Sequence, residues 1–485
     1  MQDGPETGLT PAIPPQRTPD HDAPAPDAPT GEQSDAPTGE QSDAPTGEQS
    51  KPGNGRRGRL IAIAAGAAIG VLVLGFAVFR PHDGPDAAAL AVASAPPAPS
   101  SAPPATPYDQ AVATLTAQSA ALLRGDETGW LSAVDPSSAT LRTRYRSIFR
   151  NLRGLGVTRF SYDPGVAQPV KGDTAAVAVR VDIDYCFAAA MCPEHPANDW
   201  EKPPHISQRL TLRPAKDGRF VISALGASPD PDFHQPTPWE SGQLVFAQGR
   251  RVTVAAAPGQ AKFLKTVLPV AEKAAAVNDR YAALIGVPQA RYRIFLAGEQ
   301  QWKSWYGGDD DDWAIGLAMP LNKHSLDVLI RMSEMDDPLV LSTTVQHELG
   351  HVVTLTGAFR VDAAEDTWLS EGIAEYIGWQ PKRAAQSLRR YSVRWQLGGG
   401  RAPKSMVPPR PGRKASNRAG DAFYGLSHLA VDCMGRKYGD QKLFTFVRLV
   451  LTQDNSYDQA ARDAYGTPFA AVDKACVPWI RQQVF

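Results

Sequence analysis

The sequence predicts an α+β protein with two globular units, residues 108–228 and 239–485, preceded by a tail, an apolar span and a linker. Three observations carry this expectation. Both units mix segments with apolar residues at every second position, the period of a half-buried strand, and segments with apolar residues three and four apart, the period of a helix. One uncharged run, Leu60 to Phe79, belongs to neither unit. Outside that run, the text before Tyr108 is poor in the large apolar residues a core requires. A formal net charge of −1 gives no overall bias toward nucleic acid, and none is expected as a partner.

Residues 1–55 form the tail. Its first 50 residues carry ten acidic side chains against one basic, Arg17, and "DAPTGEQS" occurs three times between Asp27 and Ser50. A repeat this short without an apolar stripe has nothing to bury, so a disordered spacer is expected rather than a solenoid. Residues 56–80 hold the apolar run. As a helix rising about 1.5 Å per residue it would cover about 30 Å, the thickness of one hydrocarbon core. Lys51, Arg56, Arg57 and Arg59 precede it and only Arg80 follows closely. The positive-inside bias then puts the N-terminus in the cytoplasm and the remainder outside a cell membrane that is crossed once. "AVASA" (Ala91–Ala95) resembles a small-residue cleavage site, but the long N-terminal region and full-length span favour an uncleaved anchor. Residues 81–107, rich in Ala, Pro and Ser, read as an extended linker.

In the unit at 108–228, "AVATLTAQSAALLRGD" and "SATLRTRYRSIFRNLRGLG" have helical spacing, the second ending at glycine. "AAVAVRVDIDYCF", "SQRLTLRP" and "GRFVISALG" alternate as strands, with "KDG" a hairpin signal before the last. Helices followed by an antiparallel sheet resemble the NTF2-like α+β fold in element order. His195 and His205 are expected at the surface or in packing rather than in chemistry. After the Pro-rich bridge Ser228–Pro238, "QLVFAQGRRVTVAAAP" reads as a strand pair and "AKFLKTVLPVAEKAAAVNDRYAALIG" as a long helix. "RYRIFLA", "AIGLAMPL" and "LDVLIRMS" are further strands, and everything after Thr367 reads as helices and loops. Cys186 and Cys192 lie close in one unit, and Cys433 and Cys476 lie together in the other. That even split predicts two disulfides in an oxidising compartment; no C-x-x-C argues for cysteine-bound zinc.

The chemistry concentrates in "TTVQHELGHVVTLTG", Thr343 to Gly357. Asp337 and Pro338 suit the start of its helix as cap and first-turn residue. On that helix His347 and His351, four apart, share a face and can reach one ion. Glu348 projects toward water at such an ion and can serve as general base. With nineteen residues between them, His351 is followed by Glu371, in "TWLSEGIAEY". Together the two strings resemble the gluzincin metallopeptidases, the thermolysin-like, peptidase MA-like branch of the zincins. The resemblance implies a zincin-type domain with a sheet lobe and a helical lobe, and one Zn2+ per chain on His347, His351 and Glu371. It implies that Glu375 holds a zinc histidine by hydrogen bonding, in a place where the family usually has Asp. It also asks for an oxyanion donor in the helical lobe, for which Tyr424 and His428, in "DAFYGLSHLAVDCM", are the candidates. Substrate is expected to lie along an edge strand before the motif helix, at Gly316, Leu317 and Ala318. Pro320 stands where the aminopeptidase branch has its N-terminus-binding glutamate, so endopeptidase chemistry is preferred.

Asp309–Asp312 could supply oxygen ligands for Ca²⁺, although a solvated acidic turn is the simpler reading. The basic stretch Gly398–Gly420 could be a lid, a contact to anionic wall material or an inert loop. The expectation is a membrane-anchored, extracytoplasmic zinc metallopeptidase acting on a peptide or protein substrate. Its rivals are a catalytically silent zinc-containing sensing or scaffolding ectodomain and a zinc amide hydrolase acting on cell-wall peptides. Nothing in the sequence sets an oligomeric state.

Overall fold

The computed structural model describes residues 106–227, 234–308, 314–359, 365–412 and 415–485. The expected tail, the apolar span at 60–79, the linker up to residue 105 and Asp309–Asp312 lie outside the described residues. Among the described residues no helix is long and apolar enough to cross a membrane. The fold is mixed α and β, with two sheets.

The first part begins one residue before the expected boundary, with α1 (Pro107–Arg124), whose N-cap Thr106 and Asp109 bond each other's backbone reciprocally. α2 (Glu127–Ser132) and α3 (Ala139–Leu155) follow, and both long helices end at a left-handed glycine, Gly125 and Gly156. The sheet is an antiparallel meander, β1 (Arg159–Val170), β2 (Asp173–Cys186), β3 (His205–Pro214) and β4 (Phe220–Gly226), in that order. Sequence reading missed β1. Pro164, Gly165 and Pro169 break its alternation, and the register with β2 shifts between Pro164 and Ala167 and again between Pro169 and Val170. His195 and His205 are exposed.

The second part has a five-stranded mixed sheet. β5 (Val245–Gln248) pairs antiparallel with β6 (Val252–Ala256), the expected strand pair. Helix α4 (Leu264–Ile285) leads to β7 (Tyr292–Ala297), short α5 (Glu299–Trp302), β8 (Gly316–Asn322) and β9 (Ser325–Arg331). The sheet order is β5-β6-β7-β9-β8, parallel at its centre and antiparallel at both sides, so β8 is an edge strand. Then come α6 (Pro338–Leu355), α7 (Thr367–Gly378), α8 (Arg390–Leu397), α9 (Asn417–Tyr438), α10 (Asp440–Leu451), α11 (Tyr457–Tyr465) and α12 (Phe469–Val484). Both expected disulfides form: Cys186–Cys192 closes the loop after β2, and Cys433–Cys476 ties α9 to α12.

Both faces of the second sheet are buried, and its strands show it by strict alternation. Val252 and Val254, Ile294 and Leu296, Val328 and Ile330 point into one core with α4, α6 and the helical lobe. Ala255, Phe295 and Leu329 point the other way, into a core that also holds Trp130, Tyr185 and Trp239 of the preceding region. The two halves therefore share apolar interior, and all described residues belong to one compact unit. The polar exceptions on the shared face satisfy one another. Arg293 donates to Asp327 at 2.6 Å and to Ser325 Oγ at 2.6 Å, while the Tyr306 hydroxyl donates to the second Asp327 oxygen at 2.6 Å. The guanidinium also lies over the Phe187 ring, 5.0 Å from its centroid. Arg293 and Asp327 are 6 % and 1 % exposed in their side chains, so neither charge has water as an alternative partner.

Removing one partner strands the other charge in the interior. Asp327→Ala is expected to destabilise the fold by about 3–5 kcal/mol, read as a lowered urea midpoint at unchanged slope. A midpoint equal to wild type would show that the pair is not buried in solution.

Candidate metal centre

Helix α6 carries the first three residues of the site. Asp337 caps it, accepting from the backbone N–H of Leu339 at 2.6 Å, with Pro338 behind the cap. From Thr344 to Leu355 nearly every side chain is buried, so the helix is a core element rather than a surface one. Helix α7 lies against it at a distance set by glycines. A Cβ on Gly350 would come 3.3 Å from Ala374 Cα, and one on Gly378 would come 3.0 Å from His347 Cβ. Gln346 fastens the pair by donating to the carbonyls of Ile377 at 2.7 Å and Gln380 at 3.1 Å, at the C-terminal end of α7. Trp368, which opens the second string, is buried against Tyr457 and Phe469, and its indole N–H donates to Tyr457 Oη at 3.0 Å.

This approach brings His347, His351 and Glu371 together as a group that can hold a metal ion. His347 Nε2 and His351 Nε2 are 3.1 Å apart, and Glu371 Oε2 is 3.4 Å and 3.2 Å from them. A tetrahedral ion with bonds of about 2.0–2.1 Å separates its ligand atoms by about 3.3–3.4 Å. The spacing of the three donors is close to that, as a shared metal ion requires. Three electron-rich atoms converging in a buried place repel one another unless positive charge sits among them. Without a metal, a proton on His347 supplies it: burial opposes a charge there, but the adjacent Glu371 and Glu375 carboxylates overcome that and raise its pKa to about 10. Burial raises and His351 then lowers the Glu371 carboxyl, with the net shift well downward.

Glu375 sits behind the ligands and is fully engaged. Its Oε1 lies 3.2 Å from His347 Nδ1, close but off the line of a good hydrogen bond, and 3.2 Å from Arg389 Nε. Its Oε2 accepts from the Trp379 indole at 3.1 Å and lies 3.9 Å from His428 Nδ1. Burial raises Glu375, and the Arg389 charge chiefly reverses this, holding the carboxyl down at about 2. Arg389 also bonds Asp421 at 2.5 Å and covers the Tyr424 ring, 4.7 Å from its centroid. Arg389 and Trp379 escaped the sequence reading, since each is one of many such residues and only the fold aims them at Glu375.

Helix α9 crosses α7 closely, because Gly372 has no Cβ: one there would sit 2.6 Å from the Ser427 carbonyl. Of the two oxyanion candidates on α9, Tyr424 is half-buried with its ring 6.2 Å from that of His347. Burial, with Glu371 next, pushes its hydroxyl pKa well above the usual value, so it remains a proton donor. His428 is fully buried, neither ring nitrogen has a hydrogen-bond partner, and burial pushes its pKa down to about 4. It meets the site through Glu375. Glu348 is also buried, and burial raises its pKa. Its carboxylate rests on Gly316 of β8, where an added Cβ would lie 2.4 Å from Oε1. The edge strand with Gly316, Leu317 and Ala318 therefore runs beside the ligand cluster.

The basic stretch from Gly398 is held in its middle. Met406 is buried, and Asp473 of α12 accepts from the Met406 backbone N–H at 2.6 Å and from Ser405 Oγ at 3.1 Å. Its described part is therefore anchored, which does not suit a swinging lid. Compared with models of known protein families and with curated proteins, the chain matches none.

If Glu375 orients His347, Glu375→Ala weakens divalent metal affinity about 10–100-fold, measured by competition with a chelator. Unchanged affinity would assign Glu375 to packing alone.

Proposed function

We propose that this protein is a membrane-anchored, extracytoplasmic zinc metallopeptidase that hydrolyses peptide bonds. The observation that carries the reading is the convergence of His347, His351 and Glu371, with ligand atoms 3.1–3.4 Å apart, beside a buried Glu348 that lies against an edge strand. The order of mixed sheet, motif helix and helical lobe supports a gluzincin-type domain. Helices followed by a four-stranded antiparallel meander support an NTF2-like accessory region. The two disulfides suit an oxidising compartment. The anchor is the apolar run at 60–79.

His347, His351 and Glu371 would hold the zinc, which supplies positive charge that acidifies water and polarises a carbonyl. Glu348 takes the proton from the attacking water as the new C–O bond forms. It returns that proton to the departing amine as the C–N bond breaks, so it ends each cycle as it began. Its raised pKa suits both halves of the task. Tyr424, kept protonated, donates to the oxyanion that develops at the carbonyl. Arg389 keeps the Tyr424 ring and Glu375 in place. The edge strand offers backbone groups to an extended peptide.

Zinc-loaded Glu348→Gln is expected to retain its metal while kcat falls about 10²–10⁴-fold toward a peptide library. Tyr424→Phe should lower kcat about 10²–10³-fold with KM nearly unchanged. Full activity in Glu348→Gln, or absence of cleavage by metal-loaded wild type, would remove the peptidase reading.

A further inference from the structure

The edge strand beside Glu348 has a defined end. In an antiparallel pair, successive residues turn their backbone groups alternately toward and away from the partner. Ile315 accepts from the Arg331 N–H at 3.0 Å, so Ile315, Leu317 and Met319 face β9. Gly316, Ala318 and Pro320 then turn their groups outward, and among the described residues no strand other than β9 pairs with β8. The outward carbonyl of Pro320 is taken: His234 Nε2–H donates to it at 2.7 Å. Pro320 has no N–H to offer in exchange.

Beyond this point the edge is occupied. The register with β9 shifts between Pro320 and Asn322. Asn322 Nδ2 donates to the carbonyls of Met191 and Lys202 at 3.0 and 2.8 Å, and the Lys323 N–H donates to the Trp200 carbonyl at 2.9 Å. These partners come from the connection between β2 and β3, Met191 from within the loop that the Cys186–Cys192 disulfide closes and Trp200 and Lys202 from beyond it. Gly316, at the opposite end of the strand, touches Glu348.

We propose that β8 is a substrate groove of fixed length, closed at Pro320 by His234. The inference rests on the metallopeptidase reading and narrows it. A peptide paired with β8 puts the bond to be cut near Gly316 and has room on that side for about four residues, one per strand position, before it meets His234. The substrate class selected is a short peptide or a chain end on that side, and a long extended segment is excluded. His234 is a specificity-determining residue and takes no part in the chemistry.

The test uses the full-length, zinc-loaded protein and labelled alanine-rich peptides with one central Phe–Leu bond, lengthened residue by residue toward either end. Cleavage is read on wild type, and binding is read separately on Glu348→Gln. Affinity should rise up to about four residues on one side only, and further residues should weaken binding about tenfold. In the Glu348→Gln background, His234→Gly should lift that penalty, while His234→Gln, which keeps a donor for Pro320, should retain it. Affinity that keeps rising with length on both sides, no binding at all, or a His234→Gly ladder identical to the parent's would overturn the proposal. A ladder that stops as expected in binding, with no cleavage by wild type, would uphold the groove and remove the hydrolase.

Discussion

The site depends on how closely α7 can approach α6. Two imidazoles on one helix define only an edge of a ligand polyhedron, and the third donor must come from a neighbouring helix within about 3.4 Å. Gly350 and Gly378 remove the side chains that would hold the helices apart, and Gln346 bonds them at one end. Once they meet, two buried histidines and the half-buried carboxylate are brought together, and some positive charge has to accompany them. A proton on His347, whose pKa is raised, meets that need, and a metal ion held by the three residues would displace it. Gly372 extends the same device to α9, bringing Tyr424 and His428 to the cluster from a third side.

The sheet's two-sided burial makes the rest of the chain relevant to the site. One face is packed by the motif helix; the other is packed by the preceding region, with Arg293, Asp327, Tyr306 and Phe187 linking the two. The accessory region is therefore part of the wall behind the edge strand rather than a tethered neighbour. Its connection between β2 and β3 holds the turn at Asn322 and Lys323, and His234 holds Pro320. Strand β8 is thus fixed at one end by the accessory region and borders the buried Glu348 at the other.

Much of this was legible in the sequence, for physical reasons. The alternation in β6, β7 and β9 and the cap at Asp337 are local, and both appear where expected. The pairing of His347 and His351 was legible because four-residue spacing on a helix has one geometric consequence, and Glu371 was reached through the resemblance its string carries. Strand β1 was not legible: its proline and glycine residues erase the period, and pairing with β2 rather than its own pattern keeps it extended. Arg389, Trp379 and His234 were invisible for a different reason. Each acts through one contact distant in sequence, and residue type alone does not say which arginine, tryptophan or histidine will be brought there. The sharing of one core by both halves was likewise hidden, since a doubly buried strand reads the same whatever covers it.

The central claim is that His347, His351 and Glu371 form one metal site. X-ray absorption at the zinc edge of the purified full-length protein, with metal content measured on the same sample, tests it most directly. The account predicts about one zinc per chain with nitrogen and oxygen neighbours at about 2.0–2.1 Å, an imidazole signature, and no sulfur. A chain that holds no metal after zinc loading, or zinc bound through sulfur, would contradict it.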